Sequence, residues 1–204
     1  MDRLDLNNQI LNPEFDYLTL CEALKQYKSP RDQITKLLRE KTIVRVKKGL
    51  YVLGHDFGRP FSIYVLANLV YGPSYVSLQT ALSFYGAIPE KVQEIQSTTL
   101  NRKKIFNTPI GRFSYVFLSS IKYQVSVCRQ KIDKNRYFFI ASPEKALVEL
   151  LEKETAIQSP DDLSDWLSSQ RIEDEFLKHL NHRELKKMKD HFSEEKIKWL
   201  LKIL

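Results

Sequence analysis

The hydrophobic period of this chain changes twice, and that change limits the fold more than any single motif does. Apart from a short hairpin over 43–53, apolar residues recur at helical spacing as far as Phe84. They then follow a period of two between Gln96 and Ile140, and return to helical spacing after Ser142. Five short runs carry the middle block: residues 97–100, 104–106, 113–118, 123–127 and 137–140. They are rich in β-branched and aromatic residues, and they are separated by Asn-Thr-Pro, Ser-Ser and Asp-Lys-Asn breaks. They predict an antiparallel sheet over about 96–140, with a helical tail over 143–204. Ser142-Pro143 and Ser159-Pro160 open helices in that tail. The expected fold class is α+β.

The front of the chain has its own logic. Residues 54–60 (Gly-His-Asp-Phe-Gly-Arg-Pro) break both helix and strand patterns and mark a boundary, giving expected domains of 1–56 and 57–204. Before the seam, helices are predicted over 4–11 and 18–27. A third opens at Ser29-Pro30, with serine as cap, proline preset for helical φ and Asp32 in the first turn. A hairpin follows over 43–46 and 50–53, turning at Lys47-Lys48-Gly49, where glycine supplies positive φ. Two short helices, a third helix and a hairpin form a winged helix-turn-helix, whose third helix fits the major groove of DNA.

On that third helix Ile34, Leu37 and Leu38 share the inward side, while Asp32, Thr35, Lys36 and Arg39 lie opposite. Ser29, Arg31, Asp32, Thr35, Lys36 and Arg39 are therefore candidate DNA contacts, joined at the hairpin by Arg45, Lys47 and Lys48. Beyond the seam, Ser77 is expected to cap a helix over 78–84 that stops at Gly86.

Charge follows the same division. Residues 1–58 carry +2, residues 59–140 carry +8, and residues 141–204 carry −3, within a total of +7. The +8 block adds Arg102, Lys103, Lys104 and Arg112 to the candidate phosphate-binding surface. Uneven positive charge of this kind favours a polyanion over one part of the molecule, although a solvated basic face carries the same signature.

Catalytic and cofactor chemistry lacks its usual signatures. Cys21 and Cys128 are the only cysteines, too few for a zinc ribbon or a disulfide framework, and they suit a reducing cytoplasm. His179 and His182 stand three apart and could share a helix face, but lack partners in a metal-ligand pattern. No Gly-rich phosphate loop and no GxSxG elbow is present. Glu90, Glu94 and Asp133 fall near turns rather than on strands, where a metal-dependent nuclease would need them. No apolar run approaches the roughly 20 residues of a membrane span. The start Met1-Asp2-Arg3-Leu4-Asp5 does not read as a signal peptide. The expectation is a cytoplasmic protein that is not an enzyme, with no cofactor, no metal and no membrane partner. The rivals are a winged helix that binds a protein instead of DNA and, more remotely, a nucleic-acid enzyme.

Three segments occur in an order that resembles the AbiEi family of antitoxins and transcriptional regulators from type IV toxin–antitoxin and phage abortive-infection systems. They are Arg45-Val-Lys-Lys-Gly-Leu-Tyr-Val-Leu53, Gly72-Pro-Ser-Tyr-Val-Ser-Leu-Gln-Thr-Ala-Leu-Ser-Phe-Tyr-Gly-Ala-Ile-Pro-Glu90 and Ile140-Ala-Ser-Pro-Glu-Lys-Ala-Leu-Val-Glu-Leu-Leu151. The resemblance spans nearly the whole chain, and the middle segment is its most specific part. It implies an N-terminal winged helix joined to an antitoxin domain. It further implies repression of the protein's own operon at inverted repeats and opposition to a nucleotidyltransferase toxin. DNA reading then falls on residues 30–41 and 45–49, and antitoxicity on residues 57–204. The shared residues are mostly caps and helix stops, which identify a scaffold better than a mechanism.

Overall fold

In the computed structural model, residues 3–89 and 93–204 are described; Met1, Asp2 and Glu90, named above, lie outside them. The chain opens with α1 (Arg3–Gln9), β1 (Glu14–Asp16), α2 (Tyr17–Ala23), α3 (Pro30–Arg39), β2 (Ile43–Lys47) and β3 (Leu50–Leu53). The three strands form an antiparallel sheet in the order β1-β3-β2. Leu6, Ile10, Leu20, Leu24, Ile34 and Leu37 fill the space between this sheet and the helices. Strand β1 was not expected, because three residues are too few to show a period. Helix α2 ends at Ala23, not at residue 27: beyond Leu24, the next four residues supply only Tyr27 to the core. Lys47 belongs to β2, so the turn is Lys48-Gly49, with Gly49 at φ +85°.

A short 3-10 turn, His55–Phe57, occupies the expected seam. Then follow α4 (Ile63–Val70), β4 (Ser74–Val76), α5 (Leu78–Phe84), β5 (Glu94–Thr99), β6 (Lys104–Thr108), β7 (Gly111–Phe117), α6 (Ser120–Gln124), β8 (Val127–Lys131) and β9 (Tyr137–Ala141). The tail consists of α7 (Pro143–Lys153), α8 (Pro160–Ser169), α9 (Asp174–Lys178), α10 (His182–Met188) and α11 (Glu194–Ile203). Ser142 and Ser159 cap α7 and α8 by accepting from Lys145 and Asp162 backbone N–H groups, as Ser-Pro openings should. The architecture is α+β.

The six-stranded sheet runs β6-β7-β5-β4-β9-β8 and is mixed, not antiparallel. β5 pairs parallel to β7 in register from Glu94↔Arg112 to Thr99↔Phe117, and β4 meets β9 in parallel at Val76↔Ile140. Local period says which residues face the core but nothing about strand direction, so the antiparallel expectation had no physical support at these two pairings. The strand expected over 123–127 is a helical turn, α6, followed by β8. In that conformation the Lys122 carbonyl accepts from the Lys145 ammonium, and Lys122 itself pairs with Glu152.

A polar cluster sits inside the larger core. Glu149 accepts from the hydroxyls of Tyr75, Ser77 and Thr98, the latter two at 2.7 Å, and pairs with Lys145 at 3.0 Å. Ser77 therefore precedes α5 without capping it: its hydroxyl bonds the carboxylate instead, against expectation. Burial pushes the Lys145 ammonium below its ordinary range, and the rings of Tyr75 and Phe192 flank it.

The two sheets are not joined by a bare linker. Val46, Leu50 and Val52 point away from the N-terminal helices and enter the larger core. Buried Glu14 of β1 accepts from the Ser62 backbone N–H and from the Arg136 guanidinium at 3.1 Å, while Arg59 donates to the carbonyls of Asn7 and Ile10.

Candidate nucleic-acid interface

Ile34 and Leu37 anchor α3 in the small core, with half-buried Leu38 beside them. This anchoring turns Arg31, Asp32, Thr35, Lys36 and Arg39 to the solvent, and all five are exposed. The predicted outward face is thus open along the helix. Three of its polar groups already have partners. The Ser29 hydroxyl donates to Asp32 at 2.6 Å and does not cap the helix as expected. The Thr35 hydroxyl donates back to the Arg31 carbonyl at 3.0 Å. Lys36 approaches Glu40 at 4.0 Å. Such a surface pair is weak and easily exchanged for a phosphate.

At the β2–β3 turn, Arg45 and Lys48 are exposed, whereas Lys47 is half-buried and donates to the carbonyl of Val70 at 2.5 Å. This corrects the expectation that all three cations project freely. Val70 is the last residue of α4, where unpaired carbonyls attract a cation. Burial lowers the Lys47 pKa, and the positive charge of Lys104 adds to the effect.

Lys104 comes from the other sheet. Between β5 and β6, Asn101 donates through its side-chain amide to the Gly72 carbonyl at 3.0 Å and through its backbone to the Thr99 hydroxyl at 3.1 Å. These bonds pin the following residues against the end of α4. Arg102, Lys103 and Lys104 are exposed there, and the Lys104 ammonium lies 5.6 Å from the Tyr71 ring and 5.0 Å from the Phe106 ring. Two basic segments remote in sequence, 45–48 and 102–104, therefore converge at Val70–Gly72. Tyr71, whose ring supports Lys104, carried no sequence signal for this role beyond being aromatic.

Arg112 does not join them. It pairs at 2.9 Å with Glu94, which begins β5 and is not in a turn as expected, and it lies opposite Asn107, three residues along β6 from Lys104 and therefore about 10 Å away. His179 closes α9 and His182 begins α10, so the two do not share a helix. Among the described residues, no three His, Cys, Asp or Glu side chains form a group that could hold a metal ion, and no helix is long and apolar enough to cross a membrane.

No family model and no curated protein matches the chain.

Proposed function

We propose that this protein binds duplex DNA through α3 and the β2–β3 turn, with added phosphate contacts from residues 102–104. On this reading it is a cytoplasmic, non-enzymatic repressor of its own operon and the antitoxin of a type IV toxin–antitoxin pair, opposing a nucleotidyltransferase toxin as the AbiEi resemblance implies. The element order helix, strand, helix, helix, strand, strand, with β3 central, supports a winged helix-turn-helix over residues 1–56. The observation that carries the reading is the open basic face of α3, where Arg31, Lys36 and Arg39 are exposed together and are joined at the β2–β3 turn by exposed Arg45 and Lys48. Cations gathered in this way attract a polyanion, and release of its counterions then drives binding.

The test is binding of the upstream intergenic duplex over a range of salt concentrations. Lys36→Gln with Arg39→Gln should weaken binding, and Arg102→Gln with Lys103→Gln should reduce the slope of log K against log [salt] by roughly 0.9 for each phosphate that is no longer neutralised. An unchanged slope in both variants overturns the reading. A second reading has one observation of its own: Leu11 and Leu18 are 80% and 74% exposed, and Leu18 lines a groove of about 930 Å³ beside α2. That face favours a protein partner, and under this alternative the Leu18→Asp variant loses the partner while DNA affinity is unaffected.

A further inference from the structure

The hairpin of β8 and β9 exposes what a sheet normally hides. Phe138 and Ile140 are buried, whereas Phe139 is 51% exposed and Tyr137 36% exposed, on the opposite face. The register pairs Arg129 with Phe139 and Lys131 with Tyr137. Residues directly opposite in a ladder share a face, so two aromatic rings and two cations form a grid. The rings are about 7 Å apart along β9, and each has a cation beside it on β8. The Arg129 guanidinium lies 3.9 Å from the centre of the Tyr137 ring, while Phe139 has no ring partner among the described residues.

The grid is held rigidly. The Asn68 side chain accepts from the Phe139 backbone N–H at 2.6 Å and donates to its carbonyl at 3.3 Å, replacing a neighbouring strand. At the turn, Asp133 accepts from the backbone N–H groups of Asn135 and Arg136 and from the Arg136 side chain. That leaves Arg129, Lys131 and Lys134 without a carboxylate partner among the described residues.

We propose that this face binds single-stranded nucleic acid, with an unpaired base stacking on Phe139 and the neighbouring phosphates meeting Arg129 and Lys131. Exposed rings beside cations on a sheet face suit bases that are free to unstack, since a stacking ring reaches no base face in an intact duplex. A second copy of the same face is a poor occupant, because it would bury four cations without counter-charges. The site is separate from α3, so its fate does not depend on the duplex-binding reading.

Fluorescence anisotropy of the full chain with labelled oligo(dT) and oligo(rU) of about 12 nucleotides tests it. Wild type should bind at least one probe, and Phe139→Ala should weaken binding by about 5- to 100-fold. Phe139→Leu should be as weak, because it keeps apolar area but no π face, and Phe139→Trp should retain binding. Arg129→Gln, at an exposed position, should lower the salt slope by about one phosphate's worth of released counterions. Duplex affinity should be unchanged in every Phe139 variant, and Lys36→Gln with Arg39→Gln should leave single-strand affinity unchanged. Preference for one probe assigns the sugar. Failure of wild type to bind either probe, wild-type affinity in Phe139→Leu, or a Phe139→Ala effect confined to the oligomeric state would overturn the proposal.

Discussion

A carboxylate offers about four lone-pair sites, and Glu149 fills them with the ammonium of Lys145 on its own helix and three hydroxyls, from β4, from β5 and from the residue that precedes α5. Removing it strands a buried Lys145, so Glu149→Ala should cost about 3–5 kcal/mol in urea unfolding. The double variant Lys145→Met with Glu149→Leu should lose less than Glu149→Ala alone, although three orphaned hydroxyls keep it below wild type. A greater loss in the double variant would contradict the assignment of the cost to the stranded charge. Asp16 acts at the surface: its carboxylate caps α2 by accepting from the Thr19 backbone N–H at 2.8 Å, which lowers its pKa. A carboxyl whose folded pKa is lowered contributes stability above its unfolded value and loses it as pH falls through the folded one. Asp16→Ala should therefore cost about 1 kcal/mol at neutral pH, and the gap from wild type should narrow below pH ~4. Sequence identifies Ser142 and Ser159 as caps correctly but misassigns Ser29 and Ser77. All four serines precede helices; Ser29 and Ser77 turn their hydroxyls to the carboxylates of Asp32 and Glu149, whereas Ser142 and Ser159 accept from backbone N–H groups, and since Asp162 stands from Ser159 as Asp32 does from Ser29, spacing alone does not tell the two outcomes apart.

Elements show the same division between local and distant causes. Helix α3 and the β2–β3 turn were legible because Pro30, the Ile34–Leu37 spacing and Gly49 each act on neighbours only a few residues away. Strand direction in the large sheet and the helical turn α6 were not, since both answer to partners far along the chain. Two glycines of the first sheet separate these causes experimentally. At Gly49 an added Cβ meets no atom within 4 Å, so Gly49→Ala should cost only the left-handed backbone, about 1–2 kcal/mol. At Gly54 the backbone is ordinary, with φ −66°, but a Cβ would stand 2.3 Å from the Lys41 carbonyl oxygen and 2.9 Å from that of Thr42. Gly54→Ala must therefore push β3 away from the end of α3, and its denaturation midpoint should fall further than that of Gly49→Ala. The reverse order would show that the α3–β3 junction yields easily.

Across the whole molecule, the candidate interface exists only because two sheets are fixed to each other. Residues 45–48 and 102–104 lie in separate sheets, and their cations meet because Val46, Leu50 and Val52 share a core with the C-terminal elements while Arg136 reaches across to Glu14. Charge counting along the sequence found both basic blocks; their meeting at the end of α4 was not legible, because no local pattern encodes which carbonyl Lys47 will reach. The coupling predicts how the chain unfolds. Both tryptophans, Trp166 in α8 and Trp199 in α11, report on the C-terminal helices alone, whereas backbone circular dichroism also registers α1 to α3. If the shared core binds the two parts together, both signals should follow one transition. In Arg136→Ala, Glu14 retains the Ser62 N–H but loses its buried counter-charge, a change of about 3–5 kcal/mol. That loss falls at the junction, so the dichroism transition should move to lower denaturant ahead of the fluorescence, and duplex binding should weaken although no residue of α3 has changed. Coincident transitions in the variant, with unaltered duplex affinity, would mean that the apolar contacts of β2 and β3 suffice to hold Lys47 against Val70 without the Arg136–Glu14 pair.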